Sequence, residues 1–359
     1  MALCDGNGSL RSAVLAIAAS HLTASNEDFS ESSQALPLMA HNYRISAVAS
    51  LRGRLGLGVG IVMYNDATLA SILLLEISKQ FDNAASQNTG DVNHLLGAKE
   101  VILARGGPQS LTSPCARFLL TQILYHDLLS AVSRGTEPII RQYHSGREDI
   151  VPFPLDFESS RGYHPTVLQA VARISELKTQ KEQSFPPDCD IEGTNLAEFV
   201  FAGQEIEKSL EAMMIHGPTG AKADQSHTTE AHRSAALIYL YRTVYDIGAP
   251  HELTLVQVRR CIDSMAAVSL SSPLISAHVW PLFTAGCEAT EPADRQFVKQ
   301  RLMEMYRLRR IQSLRKVCEL MEQVWLSKDY KHSMEGAEEM SRVGCIEVVN
   351  GLGEMLYLV

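Results

Sequence analysis

The 359-residue sequence predicts an all-α fold, built as a single large domain of many antiparallel packed helices. Three observations predict it. Apolar residues recur at helical spacing along nearly the whole chain, no alternating β pattern bounded by turns appears in the first half, and Pro and Gly breaks fall between segments of ordinary helix length. No internal period aligns these segments, which argues against a tandem-repeat array.

In chain order, the segment from Ser9 to Ser20 opens on a capping serine and continues through small apolar residues that let a neighbouring helix approach closely. From His41 to Leu55, Ile45, Val48, Ala49 and Leu55 form an apolar face opposite Arg44, Arg52 and Arg54. Asp66 is read as the N-cap of a central helix over Ala67 to Gln80, because its carboxylate can accept a backbone N–H and complements the helix dipole. Asp91 to Ala104 is stopped by Gly106, Gly107 and Pro108, and Arg117 to Arg134 is nearly all apolar and ends at Gly135.

Helical periodicity is lost from Pro138 to Pro165, returns over Pro165 to Glu182, and breaks again over Ser184 to Asp190. Helices are then predicted over Leu196 to Ile215, Ala231 to Ile247, Leu253 to Leu270, Ile275 to Cys287, Ala293 to Met305 and Ile311 to Ser327. His216 to Ser226 reads as a polar interruption and Lys328 to Ser341 as polar and weakly determined. Neither long break separates halves of different composition, so residues 1–359 are expected to form one helical domain, with its core at about 9–328 and a polar connection and tail over 329–359.

Composition narrows the function classes. With 45% apolar and 20% charged residues the chain falls in the globular range, and a net charge of −9 argues against nucleic-acid binding through bulk electrostatics. Seven widely spaced cysteines, with no CxxC pair, fit free thiols in a reducing compartment and provide no zinc spacing. No stretch approaches the roughly 20 apolar residues of a membrane span, and Ala13 to Ala19 is too short for a secretory signal.

No catalytic or metal residue is assigned. His126 and Asp127 are adjacent, so on a helix they diverge by about 100° and cannot form a base-and-orienter pair with each other. His126 and Ser130 share a face, but neither an orienting carboxylate nor an oxyanion hole can be identified, and a structural polar contact is the favoured reading. Gly53 to Gly60 lacks the spacing and lysine of a phosphate loop, and His251-Glu252 does not continue to HExxH because Leu255 follows. His227 and His232 are five apart and so lie off a common helix face, which makes them surface or capping histidines rather than metal ligands.

Two groups remain as candidate sites. Trp280, Phe283, Cys287 and Glu288 near one helix start either pack the core or line a ligand cavity, in which case Tyr125, His126 and Arg134 are its candidate polar contacts. Arg307, Arg309, Arg310, Arg315 and Lys316 form either a solvated helical face or a basic partner surface.

Five strings in a fixed order carry a resemblance: Leu10 to Leu22 (LRSAVLAIAASHL), His94 to Pro108 (HLLGAKEVILARGGP), Arg117 to Gly135 (RFLLTQILYHDLLSAVSRG), Ala235 to Arg242 (AALIYLYR) and Trp280 to Ala289 (WPLFTAGCEA). Asp294, Arg295 and a helix ending in Val324 and Trp325 follow them. Across roughly residues 10 to 328 the chain resembles the regulatory region of fungal zinc-cluster transcription factors, in the second fungal-specific transcription factor domain family. The resemblance implies an all-α, non-enzymatic regulatory or effector domain that works in the nucleus through the transcription machinery or other regulators, with a homodimer and a small-molecule effector as further expected partners.

In that family DNA binding belongs to a separate cluster of six cysteines holding two zinc ions. Cys4 is the only cysteine here before Cys115, so direct DNA binding is not expected of this chain, and zinc is expected only where a separate six-cysteine cluster exists upstream. The alternative readings are a small-molecule-binding protein or enzyme repurposed on the same scaffold, and a helical interaction scaffold.

Overall fold

A computed structural model describes residues 7–25, 31–56, 65–81, 93–140, 164–184, 193–213 and 223–358. The described residues form 14 α-helices and contain no strand, as expected of an all-α chain. They divide into two compact units, one comprising Met1–Tyr125 with Arg309–Ser313 and the other His126–Leu308 with Leu314–Val359. Most of the Pro138 to Pro165 and Ser184 to Asp190 breaks, and the glycine run after residue 56, lie outside the described residues.

The first unit contains α1 (Gly8–Ser25), α2 (Glu31–Gly56), α3 (Asp66–Ser78), a 3-10 turn at Lys79–Phe81, α4 (His94–Ala104) and the start of α5 (Pro114–Arg134). Ala13, Ala16 and Ala19 form a buried stripe on α1, and small side chains of this kind let α1 lie close against α2 and α3. α2 begins ten residues before the expected His41 and accommodates Pro37 within the helix. The expected cap at Asp66 moves one residue back: the Asn65 side chain accepts the Thr68 N–H at 3.0 Å. Asp66 instead accepts Arg105 Nη1 at 2.7 Å and Ser113 Oγ at 3.0 Å, which links the starts of α3 and α5 to the end of α4.

The second unit holds the rest of α5 and α6 (Pro165–Ser184), α7 (Gly193–Glu211), α8 (Ala223–Thr243), α9 (Glu252–Ala266), a 3-10 segment at Pro273–His278, α10 (Val279–Glu288), α11 (Pro292–Arg309), α12 (Gln312–Glu335), α13 (Ala337–Arg342) and α14 (Cys345–Gly351). Its centre is α8, packed against α6, α7, α9 and α10. From Thr228 to Tyr241 nearly every α8 residue is buried, as expected of a helix enclosed on all sides.

Three sequence expectations change in this unit. α8 starts at Ala223, inside the segment read as a polar interruption, because its first turns are carried by polar side chains that are themselves part-buried. The segment from Ile275 to Cys287 divides into the 3-10 turn and α10. The segment from Lys328 to Ser341 is mostly helical, since α12 runs on to Glu335 and Lys328 lies fully buried on its inner face; two short helices follow, with Met340, Val349, Leu356 and Leu358 in the core.

Every residue of α10 except Thr284 is buried, which requires close approach by its neighbours. A Cβ at Gly286 would overlap Met321 Sδ of α12 and lie 2.9 Å from Val298 Cγ1 of α11. Gly286→Ala is therefore expected to lower the unfolding free energy by about 1–3 kcal/mol in urea denaturation. Gly53→Ala, in α2 where nothing lies within 4 Å, is expected to raise it by about 0.5–1 kcal/mol.

Candidate functional site

The chemistry-bearing side chains of the second unit gather at the two ends of α10. At its C-terminal end stands Glu288, 1% exposed. A carboxylate there faces the helix's own unsatisfied carbonyls, which disfavour negative charge, so it needs cations nearby. Lys328 of α12, equally buried, donates from Nζ to Glu288 Oε2 at 2.6 Å. The Ala249 N–H donates to the same oxygen at 2.8 Å, and Arg242 Nε of α8 lies 3.4 Å from Oε1.

Other donors complete this end of the helix. Trp325 Nε1 donates to the Gly286 carbonyl at 2.7 Å and Arg295 Nε to the Ala289 carbonyl at 2.9 Å. The Arg295 guanidinium lies over the Trp325 ring at 5.4 Å and holds both oxygens of Asp329, at 2.6 and 2.7 Å. The C-terminus of α10 is thus met by basic groups from α8, α11 and α12: Lys328 and Arg295 hydrogen-bond a carboxylate and a carbonyl, and Arg242 adds its charge beside Oε1 without hydrogen-bonding it.

At the N-terminal end, His278 Nε2 lies 3.0 Å from Thr228 Oγ1, and His232 Nδ1 lies 2.8 Å from the Thr228 carbonyl. The His232 and Trp280 rings are 5.8 Å apart. Burial pushes His232 down to about 4 and His278 to about 3, so both imidazoles are neutral near pH 7. His232 is therefore a fully buried core histidine rather than the expected surface or capping residue, whereas His251 does cap α9 by accepting the Leu253 N–H at 3.2 Å. Ser234 Oγ, His278 Nδ1 and Trp280 Nε1 are buried without a hydrogen-bond partner among the described residues.

The residues proposed from sequence fall into distinct settings. Trp280, Phe283, Cys287 and Glu288 are all fully buried on α10. Tyr125 is buried in the first unit. His126 is buried in the second, and the Arg134 guanidinium donates to Ser130 Oγ within α5. Asp127 has a structural role, because its two oxygens accept the backbone N–H groups of Ile139 at 3.0 Å and Ile140 at 2.8 Å and so fasten the chain beyond α5.

Of the basic residues, Arg307, Arg315 and Lys316 belong to the second unit and Arg309 and Arg310 to the first. Arg307 is exposed, Arg315 lies over the Tyr306 ring at 5.5 Å, and Lys316 is paired with Glu354 at 2.7 Å. Arg310 adopts φ 52° between α11 and α12.

Sequence reasoning missed Arg242, Lys328 and the two core histidines. A signal for Lys328 was present: Val317, Met321, Val324 and Lys328 follow a 4-3-4 spacing, which puts the lysine on the buried face of α12. Among the described residues no group of three or more His, Cys, Asp or Glu side chains is placed to hold a metal ion, and no helix is long and apolar enough to cross a membrane.

Fold and site together define an all-helical body whose buried polar groups chiefly satisfy one another. The family model for the fungal specific transcription factor domain matches residues 1–353, and the chain belongs to that family. Comparison with curated proteins and with solved structures gives no match.

The buried histidines set a pH dependence. Their folded values lie below the ordinary 6.5, so below about pH 6.5 the unfolded chain binds protons that the folded chain excludes. Their contribution is fully present above pH 6.5 and is lost as pH falls through about 4 for His232 and about 3 for His278, at up to about 1.4 kcal/mol per pH unit for each histidine. Urea unfolding measured between pH 7 and pH 4 is expected to show this loss, and His232→Gln to flatten the slope.

Proposed function

We propose that the chain is the regulatory or effector body of a fungal transcription regulator, acting in the nucleus through protein partners of the transcription machinery or through other regulators. The observation that carries this reading is the family match, which spans residues 1–353 and points to a regulatory, non-enzymatic role. The polar groups support it. Asp127, beside the histidine most suggestive of catalysis in sequence, holds two backbone N–H groups of its own unit, and Glu288 of the candidate cavity holds one.

On this reading DNA recognition belongs to a separate module, since a chain of net charge −9 gains little from phosphate contacts. Zinc would belong to that module too, and this body requires no cofactor of its own. Self-association into a homodimer is the simplest way for such a body to pair two DNA-reading modules.

A specific observation favours a small effector as well. Buried polar groups normally have partners, and His278 Nδ1 and Trp280 Nε1, two residues apart at the N-terminal end of α10, lack one among the described residues. A small polar molecule, or ordered water in its absence, would meet this need. It would act by binding one helix packing more tightly than another.

The test is to tether the full chain to an unrelated DNA-binding domain upstream of a reporter in a fungal cell. Transcription is expected to change several-fold, in either direction, relative to the DNA-binding domain alone. A folded, nuclear fusion that leaves the reporter unchanged would contradict the regulatory reading. Native mass spectrometry of the same chain reads out a retained effector and the dimer.

A further inference from the structure

Proline follows serine at two places in the chain, Ser113-Pro114 and Ser272-Pro273, and follows threonine nowhere. The fold separates the two. Ser272 is buried, and its Oγ accepts the Leu274 N–H at 3.4 Å. Thr112, Ser113 and Pro114 are all exposed, where a short non-helical stretch follows the 3-10 turn at Pro108–Ser110 and leads into α5. Gly106 and Gly107, at φ 94° and 88°, make the turn out of α4, and the buried Leu111 anchors the stretch in the core.

Ser113 is tied to three elements of the first unit. Its Oγ accepts the Ala116 N–H at 3.0 Å and its carbonyl the Arg117 N–H at 2.9 Å, so it caps α5. The hydroxyl donates to Asp66 Oδ2 at 3.0 Å, at the start of α3. Arg105, at the end of α4, donates to the other oxygen of Asp66 at 2.7 Å. Arg105 and Ser113 thus face each other across a single carboxylate. They do so at the positive end of a 21-residue helix whose own first turn carries no acidic residue. An added anion at Ser113 is favoured there by Arg105 and by the helix, and is opposed by Asp66.

We propose that Ser113 is a phosphorylation site for a proline-directed kinase, and that its phosphate takes Arg105 from Asp66, exchanging a contact between α3 and α5 for one between α4 and α5. In the transfer Ser113 Oγ attacks the γ-phosphorus of ATP, the bond from that phosphorus to the β–γ bridging oxygen breaks, ADP departs, and the hydroxyl proton passes to the kinase's base. The kinase takes Ser113 and Pro114 in an extended segment, which the first turn of α5 permits because helix ends open readily. Once modified, Oγ is an ester oxygen with no proton to donate to Asp66, and the new group carries about −1.5 to −2 charges at pH 7. Asp66 is repelled, while the Arg105 guanidinium, whose forked donors fit phosphate as well as carboxylate, turns to the stronger charge. The assignment stands on this geometry and does not depend on the regulatory reading of the whole chain.

The test incubates the folded full-length chain with a purified mitogen-activated protein kinase, ATP and magnesium, and digests it with trypsin. Ser113 falls in the peptide 106–117 and Ser272 in 261–295. Phosphate is expected in 106–117, placed by fragmentation on Ser113 rather than Ser110 or Thr112, and at least about tenfold faster than on the buried Ser272. No phosphate on Ser113, or equal rates at the two serines, would overturn the site. Phosphorus NMR of the modified wild-type chain then reads the second ionisation of the phosphate. It is expected below the ordinary value of about 6, because Arg105 and the start of α5 favour the dianion, and to return toward about 6 in Arg105→Gln. A wild-type value at or above about 6 would overturn the exchange of Arg105, and this measurement decides even if the variant fails to fold.

Discussion

Much of the second unit depends on one constraint, the burial of the Glu288 carboxylate at the C-terminal end of α10. A carboxylate removed from water at the negative end of a helix is unfavourable on two counts, the loss of hydration and repulsion from the helix carbonyls. It is tolerated only because α8 brings Arg242, α12 brings Lys328 and the chain between α8 and α9 brings the Ala249 N–H. The geometry of three separate segments is thus fixed relative to α10 by a single side chain. Gly286 and Trp325 belong to the same requirement: the glycine lets α12 come close, and the indole donates to the Gly286 carbonyl in the last turn of α10.

The sequence made the helices legible because their signal is periodic and local. The apolar run of α5, the stop after α4 and the buried alanines of α1 are readable from spacing alone. Cap identity at Asn65 was not, since Asn65 and Asp66 are both good caps and the choice turned on Arg105 and Ser113, which are distant in sequence and compete for the aspartate. Lys328 shows the same limit from the other side. Its position on the apolar face of α12 was visible, but a lysine marks an end of the core unless its partner is known, and that partner lies 40 residues away.

The candidate site was legible in part. The string Trp280 to Ala289 was singled out for its bulky apolar groups, thiol and carboxylate, and each proved to be enclosed on α10. What spacing did not provide were the groups opposite: His232, Arg242 and Lys328 come from other helices. The resulting arrangement suits a regulatory body. Neutral histidines and the unpartnered Trp280 indole N–H lie at one end of α10, and compensated charge at the other. A perturbation at either end is felt on a helix that α8, α11 and α12 all enclose, because packed interiors transmit displacement rather than absorb it.

The claim that mutual charge compensation holds this assembly together is tested most directly by a double-mutant cycle on Glu288→Gln and Lys328→Met, read by urea unfolding at pH 7. Removing either partner alone is predicted to cost about 3–5 kcal/mol, because the other charge is left buried. The double variant is predicted to be more stable than the sum of the two losses implies, by at least about 1.5 kcal/mol. Losses that add to within about 0.5 kcal/mol would show that the two groups do not depend on each other, and would contradict the account.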